Sequence, residues 1–238
     1  MCGRFTQSYT WAEVHALLDL VGAARNLRPR YNIAPTTEVD AVVDRGEGRE
    51  IIGMRWGLVP VWWKKTLKEV PSTFNARAET AASKPMFRDA FRKRRCVIPA
   101  SGFFEWTDPV DAADARTGKQ PHLFSAAGGG PLLFAGLWDR WTDPTSGDEV
   151  LSCTVIVSGA SAWMAPYHDR MPVLLGEANV GAWLSGEAGP ELQRPAAEGA
   201  LREWPVSKRV NQPGGADDPS LIEPVEVRRA EASTRLLL

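Results

Sequence analysis

Hydrophobic positions along this chain recur at helical spacing in a few short stretches and at strand spacing in many. The capping box Thr10-Trp11-Ala12-Glu13 leads into Val14, Leu17, Leu18 and Val21, which predicts a first helix stopped by Gly22. Residues 30–36, Arg-Tyr-Asn-Ile-Ala-Pro-Thr, read as an ordered loop. β-like runs follow at 39–43 and 50–56, and Gly57-Leu58-Val59-Pro60 breaks the pattern just before Trp62 and Trp63. Pro85 opens a second helix with Phe87, Ala90 and Phe91 on its inner face. Further strands are predicted at 96–98, 103–106, 122–125, 132–141 and 150–157, a short helix at 178–184, and a last strand within 201–210. Segment 108–120 is polar and reads as a variable loop, and 230–238 reads as a loose end. There is no repeat or linker. The pattern implies one α+β domain with a β-rich core over 1–226, followed by a C-terminal tail at 227–238.

Composition narrows the function. Of 238 residues, 44% are hydrophobic and 24% charged, as in an ordinary globular protein. Lys+Arg number 28 against 29 Asp+Glu, for a formal net charge of −1, so any contact with nucleic acid must use local patches. The N-terminus lacks the apolar core of a secretory signal, and no window has the ~18 apolar residues of a membrane span. A cytoplasmic, nucleoid-associated protein with no membrane contact is expected. Cys2, Cys96 and Cys153 have no metal spacing and no even disulfide framework, and His15, His122 and His168 are scattered. Neither a metal nor an organic cofactor is expected. Ten tryptophans stand against three tyrosines, which suits either a core or a set of base-stacking platforms.

Cys2 carries the most chemical information. A small residue after Met1 permits removal of that methionine, leaving an α-amine and a thiol on adjacent carbons. Such an aminothiol condenses with an aldehyde to an imine, and the thiol then closes a thiazolidine. The amine is partly neutral near pH 7, with an ordinary pKa of about 7.7–8.0; the thiol, near about 8.5, would gain from a nearby base. By itself Cys2 is better read as an incidental second residue. Its company changes the weighting.

That company is a series of motifs in fixed order: Met1-Cys2-Gly3-Arg4-Phe5, the 30–36 segment, Trp56-Gly57-Leu58-Val59-Pro60, Asn75-Ala76-Arg77-Ala78-Glu79, and Arg95-Cys96-Val97-Ile98-Pro99-Ala100 running into Gly102-Phe103-Phe104-Glu105-Trp106. Phe134-Ala135-Gly136-Leu137-Trp138, His168-Asp169-Arg170-Met171-Pro172 and Val210-Asn211 follow. The series resembles the SRAP (SOS-response-associated peptidase) family over nearly the whole chain; only 108–120 and the last dozen residues fall outside it. The resemblance implies a twisted, barrel-like β core with peripheral helices. It also implies a covalent sensor of abasic sites in single-stranded DNA that forms a thiazolidine crosslink through Cys2, with weak abasic-site lyase activity as a compatible side reaction. Cys2 would be the nucleophile, Asn75, Glu105 and His168 match other active-site positions, and Arg77 and Arg170 match DNA-contacting ones.

The residues themselves agree with these roles. In a strand, Glu105 shares a face with Phe103, while Phe104 and Trp106 share the other. Apolar neighbours raise a carboxyl pKa and suit it to acid/base work, although a solvent-facing Glu on an edge strand explains the pattern as well. His168 titrates in the range needed for proton transfer, and Asn75 can donate and accept; a loop histidine and a turn asparagine are the plain readings. Arg4, Arg77 and Arg170 can grip phosphates. Trp62, Trp63 and Trp106 are stacking candidates worth about 1–3 kcal/mol per base, though core packing is expected to claim at least one. The window 84–95, with six basic residues against Asp89, lends support as a charged helix face. Cys96 and Cys153 read as small core residues. The protein is expected to be monomeric, with replication-fork proteins as further candidate partners. Two other functions stay open: a cysteine peptidase using Cys2, His168 and Asn75, and a non-covalent reader of single-stranded or modified DNA that does not need Cys2.

Overall fold

The computed structural model describes residues 2–109, 118–212, 214–215 and 217–227. Its strands are β1 (Phe5–Gln7), β2 (Arg30–Ile33), β3 (Glu38–Asp44), β4 (Arg49–Trp56), β5 (Asn75–Arg77) and β6 (Arg95–Ala100). Then come β7 (Gly102–Thr107), β8 (Gln120–Ala126), β9 (Leu132–Thr142), β10 (Glu149–Gly159), β11 (Arg170–Pro172) and β12 (Leu201–Pro205). The described α-helices are short: α1 (Trp11–Leu18), α2 (Ala78–Ala81), α3 (Arg88–Lys93) and α4 (Val180–Ser185). None of the described helices is long and apolar enough to cross a membrane.

Five strands close a barrel. β4 pairs with β3, β3 with β6, β6 with β9 and β9 with β10, all antiparallel, and β10 returns parallel to β4. Closure leaves these strands few open edges. β5 continues the parallel side of β10, and β11 lies antiparallel to its far end. A second, antiparallel sheet runs β12-β8-β7-β1-β2. The expected single α+β domain with a barrel-like core and peripheral helices is the observed fold.

Alternation along the strands builds two cores at once. Val39, Ala41, Val43, Met54, Trp56, Cys96, Ile98, Cys153, Val155 and Val157 join Phe5, Phe103 and Phe124 of the second sheet in one cluster. The intervening Val42, Val97, Ala135 and Ile156 face outward against Val14 and Leu18 of α1, Phe91 of α3 and Trp183 of α4. Cys96 and Cys153 are the buried core residues their strands predicted. On the far face of the second sheet, Phe104 and Leu123 pack with Val210 and Leu221.

Local departures have local causes. The capping box forms as read: Thr10 Oγ1 accepts from Glu13 N at 3.3 Å, and Glu13 Oε2 accepts from Thr10 N at 2.6 Å. The helix stops earlier than Gly22, at Asp19 in the left-handed region (φ 50°), and Val21 is 46% exposed with its N–H bonded to Arg49 O. The first half of the 30–36 segment is a strand, β2, on the edge beside β1, where its polar residues hide any apolar alternation. The three-residue strands β1, β5 and β11 are too short for periodicity to reveal. Most of the 108–120 loop and nearly all of the tail at 227–238 lie outside the described residues.

Thr36 carries visible backbone strain. It is exposed, β-branched and left-handed, with φ 74°, a conformation that suits glycine. Thr36→Gly relieves that strain at the cost of a looser unfolded chain. We expect a net gain of about 1 kcal/mol, or roughly 2–4 °C in Tm for a chain of this size, read by thermal melting. A fall in Tm would mean that Thr36 is held by contacts worth more than the strain.

Candidate active site

The second residue reaches the middle of the protein because β1 is pinned against β7. Phe5 pairs with Phe103, and Phe104 N donates to Arg4 O at 2.9 Å. Continuing that register brings Gly3 across from Glu105, so Cys2 arrives at the Glu105 end of β7. Phe103 lies in the cluster that holds Cys2, and Phe104 in the cluster on the opposite face, as the alternation required. β10 delivers Asn75 to the same place by pairing Val155 with it. There Asn75 Nδ2 donates to Cys2 O at 2.8 Å. Asn75 Oδ1 is buried without a hydrogen-bond partner among the described residues, an acceptor left for an incoming hydroxyl or amine.

Cys2 is fully buried and Glu105 is 3% exposed. Burial first, and the neighbouring Glu105 next, push the Cys2 thiol well above its ordinary range, against the positive charge of the chain's N-terminus and a backbone hydrogen bond from Arg4. The reading of a thiol helped by a nearby base therefore meets a thiol held in its protonated form. Burial likewise raises Glu105 from 4.5 to about 7, opposed by the N-terminal positive charge. His168 is lowered, chiefly by burial and then by that same N-terminal charge, with Asp169 acting the other way. Glu105 acts on Cys2, and Asp169 acts on both Glu105 and His168, so these groups form one electrostatic cluster.

His168 Nδ1 has one partner suited to each protonation state. Its Nδ1 accepts the Arg170 backbone N–H at 2.9 Å and also faces Asp169 Oδ1 at 2.7 Å. The first contact needs a bare lone pair and the second a proton, so they suit opposite states. The Asp169 side chain is 83% exposed and its attraction is screened by water. Together with the lowered pKa, this favours the neutral ring with the Arg170 N–H bond. A ring protonated at Nδ1 would donate to Asp169 from the same position.

The predicted DNA-contacting residues separate into four groups. Arg77, at the end of β5, is exposed, and Arg170, at the start of β11, is paired through Nη1 with Glu79 Oε1 at 2.5 Å. Arg4 instead braces the interior: its Nη1 donates to Asn32 Oδ1 at 2.7 Å and to Val210 O at 2.8 Å. Trp62 is 43% exposed and Trp63 half-buried, with ring centroids 6.2 Å apart, on the loop after β4. That loop is fastened by Ser152 Oγ accepting from Val59 N, Asp139 Oδ2 accepting from Val61 N, and Trp141 Nε1 donating to Trp63 O. Trp106 is the one of the three claimed by packing; it lies against the Phe104 cluster and donates through Nε1 to Asn211 Oδ1 at 2.6 Å. The basic window is smaller than its sequence suggested. Arg95 is only 8% exposed, with Phe91 and Trp183 each 4.5 Å from its guanidinium, and Arg94 is bound to the buried Asp139.

Sequence reasoning passed over His122. In the structure it pairs directly across from Glu105 in the β7–β8 ladder and is hydrogen-bonded to Glu203 and Thr107. The alternation of His122 with Phe124 could have placed both on the core face. The pairing of β8 with β7 across the polar loop could not be read from the sequence. No group of three or more His, Cys, Asp or Glu side chains among the described residues is arranged to hold a metal ion.

Fold and site together define a barrel-cored α+β domain whose second residue is buried beside the polar side chains of Asn75 and Glu105. The chain belongs to the SOS response associated peptidase (SRAP) family, whose family model matches residues 1–213. It is 34% identical over 241 residues to the abasic site processing protein YedK of Escherichia coli, covering 94% of this chain and 100% of that one. It is 33% identical over 230 residues to the abasic site processing protein YoqW of Bacillus subtilis, covering 94% and 99%. The abasic site processing protein HMCES of Gallus gallus is 30% identical over 251 residues, covering 89% of this chain and 72% of its own length. A crystal structure of a protein from Bacteroides thetaiotaomicron shares the fold, with a TM-score of 0.82 at 21% identity over 94% of this chain and 100% of that one.

Proposed function

We propose that this protein captures abasic sites in single-stranded DNA as a thiazolidine formed on Cys2 after loss of Met1. The observation that carries the reading is the Cys2–Asn75–Glu105–His168 cluster, in which an amide holds the Cys2 main chain beside a carboxyl titrating at about 7. The names of the relatives supply the substrate class: each is an abasic site processing protein.

The chemistry balances without a cofactor. The Cys2 amine adds to the C1′ aldehyde of the ring-opened sugar to give a carbinolamine, which loses one water to become an imine. The thiol sulfur then bonds to the imine carbon and its proton passes to the nitrogen, closing the ring. Glu105 and His168 are the groups placed to move protons at oxygen and nitrogen, and Asn75 Oδ1 accepts from the opened sugar. A buried aminothiol requires the sugar to leave the stack, which costs least in a single strand. Abstraction of a proton from the imine would cleave the strand by β-elimination, a weak lyase reaction. Both this and the peptidase reading use the Cys2 sulfur as nucleophile; the names of the relatives, all abasic site processing proteins, favour capture.

Mixing the protein with an abasic oligonucleotide and running a denaturing gel tests the proposal. A heat-stable slow band should form with abasic DNA and be absent with intact DNA. No such band would overturn the covalent reading and leave the non-covalent reader.

Arg77→Ala and Arg170→Ala should weaken DNA binding several-fold at low salt. Each should reduce the slope of log K against log salt by about 0.7–0.9, as the loss of one phosphate contact does. Arg4→Ala should act through stability, since its guanidinium is committed to Asn32 and Val210. Binding titrations across a salt series decide this; unchanged slopes for Arg77 and Arg170 would remove them from the DNA path.

A further inference from the structure

Behind Glu105 lies an ionisable pair, buried His122 and half-buried Glu203, that the proposed reaction leaves unused. β8 runs between β7 and β12, and Glu105 pairs directly with His122 across the β7–β8 ladder. Directly opposed residues in an antiparallel pair project to the same face, with Cβ atoms about 4.5–5.5 Å apart. His122 is 9% exposed and Glu105 3%, so little water screens one from the other. The imidazole is clamped at both nitrogens: Nδ1 is bound to Glu203 Oε1 of β12, and Nε2 lies 3.0 Å from Thr107 Oγ1 of β7. Its ring meets Tyr167, the residue before His168, edge-on at 5.1 Å. A histidine held this firmly, in this place, has a fixed orientation toward the site.

We infer that His122 is a positioning residue for abasic-site capture: clamped by Glu203 and Thr107, it stands between the Glu203 and Glu105 carboxyls and sets how firmly Glu105 holds its proton. The inference rests on the covalent-capture reading for its effect on rate, but the coupling itself is a property of the free protein. The groups that meet this ring are Glu105 and Thr107 from β7, Glu203 from β12, and Tyr167; Glu105 itself is acted on by the chain's N-terminal charge and by Asp169, and it acts in turn on Cys2. Lys119, which acts on His168, lies just ahead of β8. Without the imidazole, two carboxyls face one another across β8 with no hydrogen-bonding group between them, and Glu105 keeps its proton to higher pH. Removing the Glu203 charge as well takes away the cause of that shift.

The pH profile of crosslinking under single-turnover conditions tests this. In His122→Phe the limb governed by Glu105 should move up by about one pH unit, with abasic-DNA affinity unchanged. In the double variant His122→Phe/Glu203→Gln it should return to the wild-type position or below. A purely structural role predicts the reverse order, with the double variant at least as impaired as the single. A second measurement needs no His122 variant: the His122 ring resonances of wild-type protein, free of DNA, should show a titration step belonging to Glu105. That step should vanish in Glu105→Gln. An unmoved limb in folded His122→Phe, or wild-type ring resonances without the Glu105 step, overturns the inference. If the wild-type protein forms no crosslink, the covalent reading fails on its own, and the resonance titration still decides the coupling.

Discussion

Cys2→Ala should bring the heat-stable crosslink down to background. Alanine is also small, so Met1 is still removed and an α-amine still meets the aldehyde; only the ring-closing sulfur is lost. The imine then persists as a short-lived species that borohydride can trap. The fold should survive, because one buried sulfur leaves a small cavity costing on the order of 1 kcal/mol. Cys2→Ser should give a weaker and more labile adduct, since a hydroxyl adds to an imine less favourably than a thiol. Denaturing gels run with and without borohydride separate these outcomes. An undiminished heat-stable band in Cys2→Ala would mean that another residue is the nucleophile.

Glu105→Gln should slow the chemistry and stabilise the protein. Opening the sugar, dehydrating the carbinolamine and reversing either step all move protons at oxygen, work for which a positioned acid/base group is worth about 10²–10⁴-fold. Crosslink formation and its reversal should both slow within that range, with little change in DNA affinity. Stability should move the other way. Folding raises this carboxyl from 4.5 to about 7, so the folded state holds its proton where the unfolded chain has released it. The native state therefore loses stability relative to the unfolded chain as pH climbs from 4.5 through 7, by up to about 3 kcal/mol above that range. Glutamine carries no such penalty. The variant should be about 2–3 kcal/mol more stable than wild type at pH 8.5 and no more stable at pH 4. Urea denaturation at the two pH values reads this directly. Equal stabilities at pH 8.5 would show that Glu105 is not held protonated by burial, and wild-type rates would leave His168 as the proton carrier.

The barrel strands were legible because β3, β4, β9 and β10 are long enough for alternation to show. Phe103 and Phe104 sorted onto opposite faces as their spacing required, which also placed Glu105 on the face of Cys2. Strands of three residues were not legible, and β5 and β11 are the ones that carry Asn75 and Arg77, and Arg170. Their positions come from pairing with β10, a tertiary fact with no local signature. Arg4 and Trp106 look like surface contacts in one dimension. In three dimensions they are occupied by Asn32, Val210 and Asn211, contributed from far along the chain. Arg95 was hidden for a related reason. It follows the basic run Arg92-Lys93-Arg94, of which Arg92 and Lys93 are exposed, but it begins β6, and its guanidinium packs inward against Phe91 and Trp183. His122 has no metal spacing to mark it in one dimension; it faces Glu105 only through the pairing of β8 with β7.

The central claim is that both the amine and the sulfur of Cys2 bond to the sugar, and counting thiols in the denatured adduct tests it most directly. The chain has three cysteines. Crosslinked protein, unfolded and treated with excess alkylating reagent, should have the mass of the chain without Met1 plus the oligonucleotide less one water. It should carry alkyl groups on Cys96 and Cys153 only. Three alkyl groups, or Met1 retained in the crosslinked species, would contradict thiazolidine formation at Cys2.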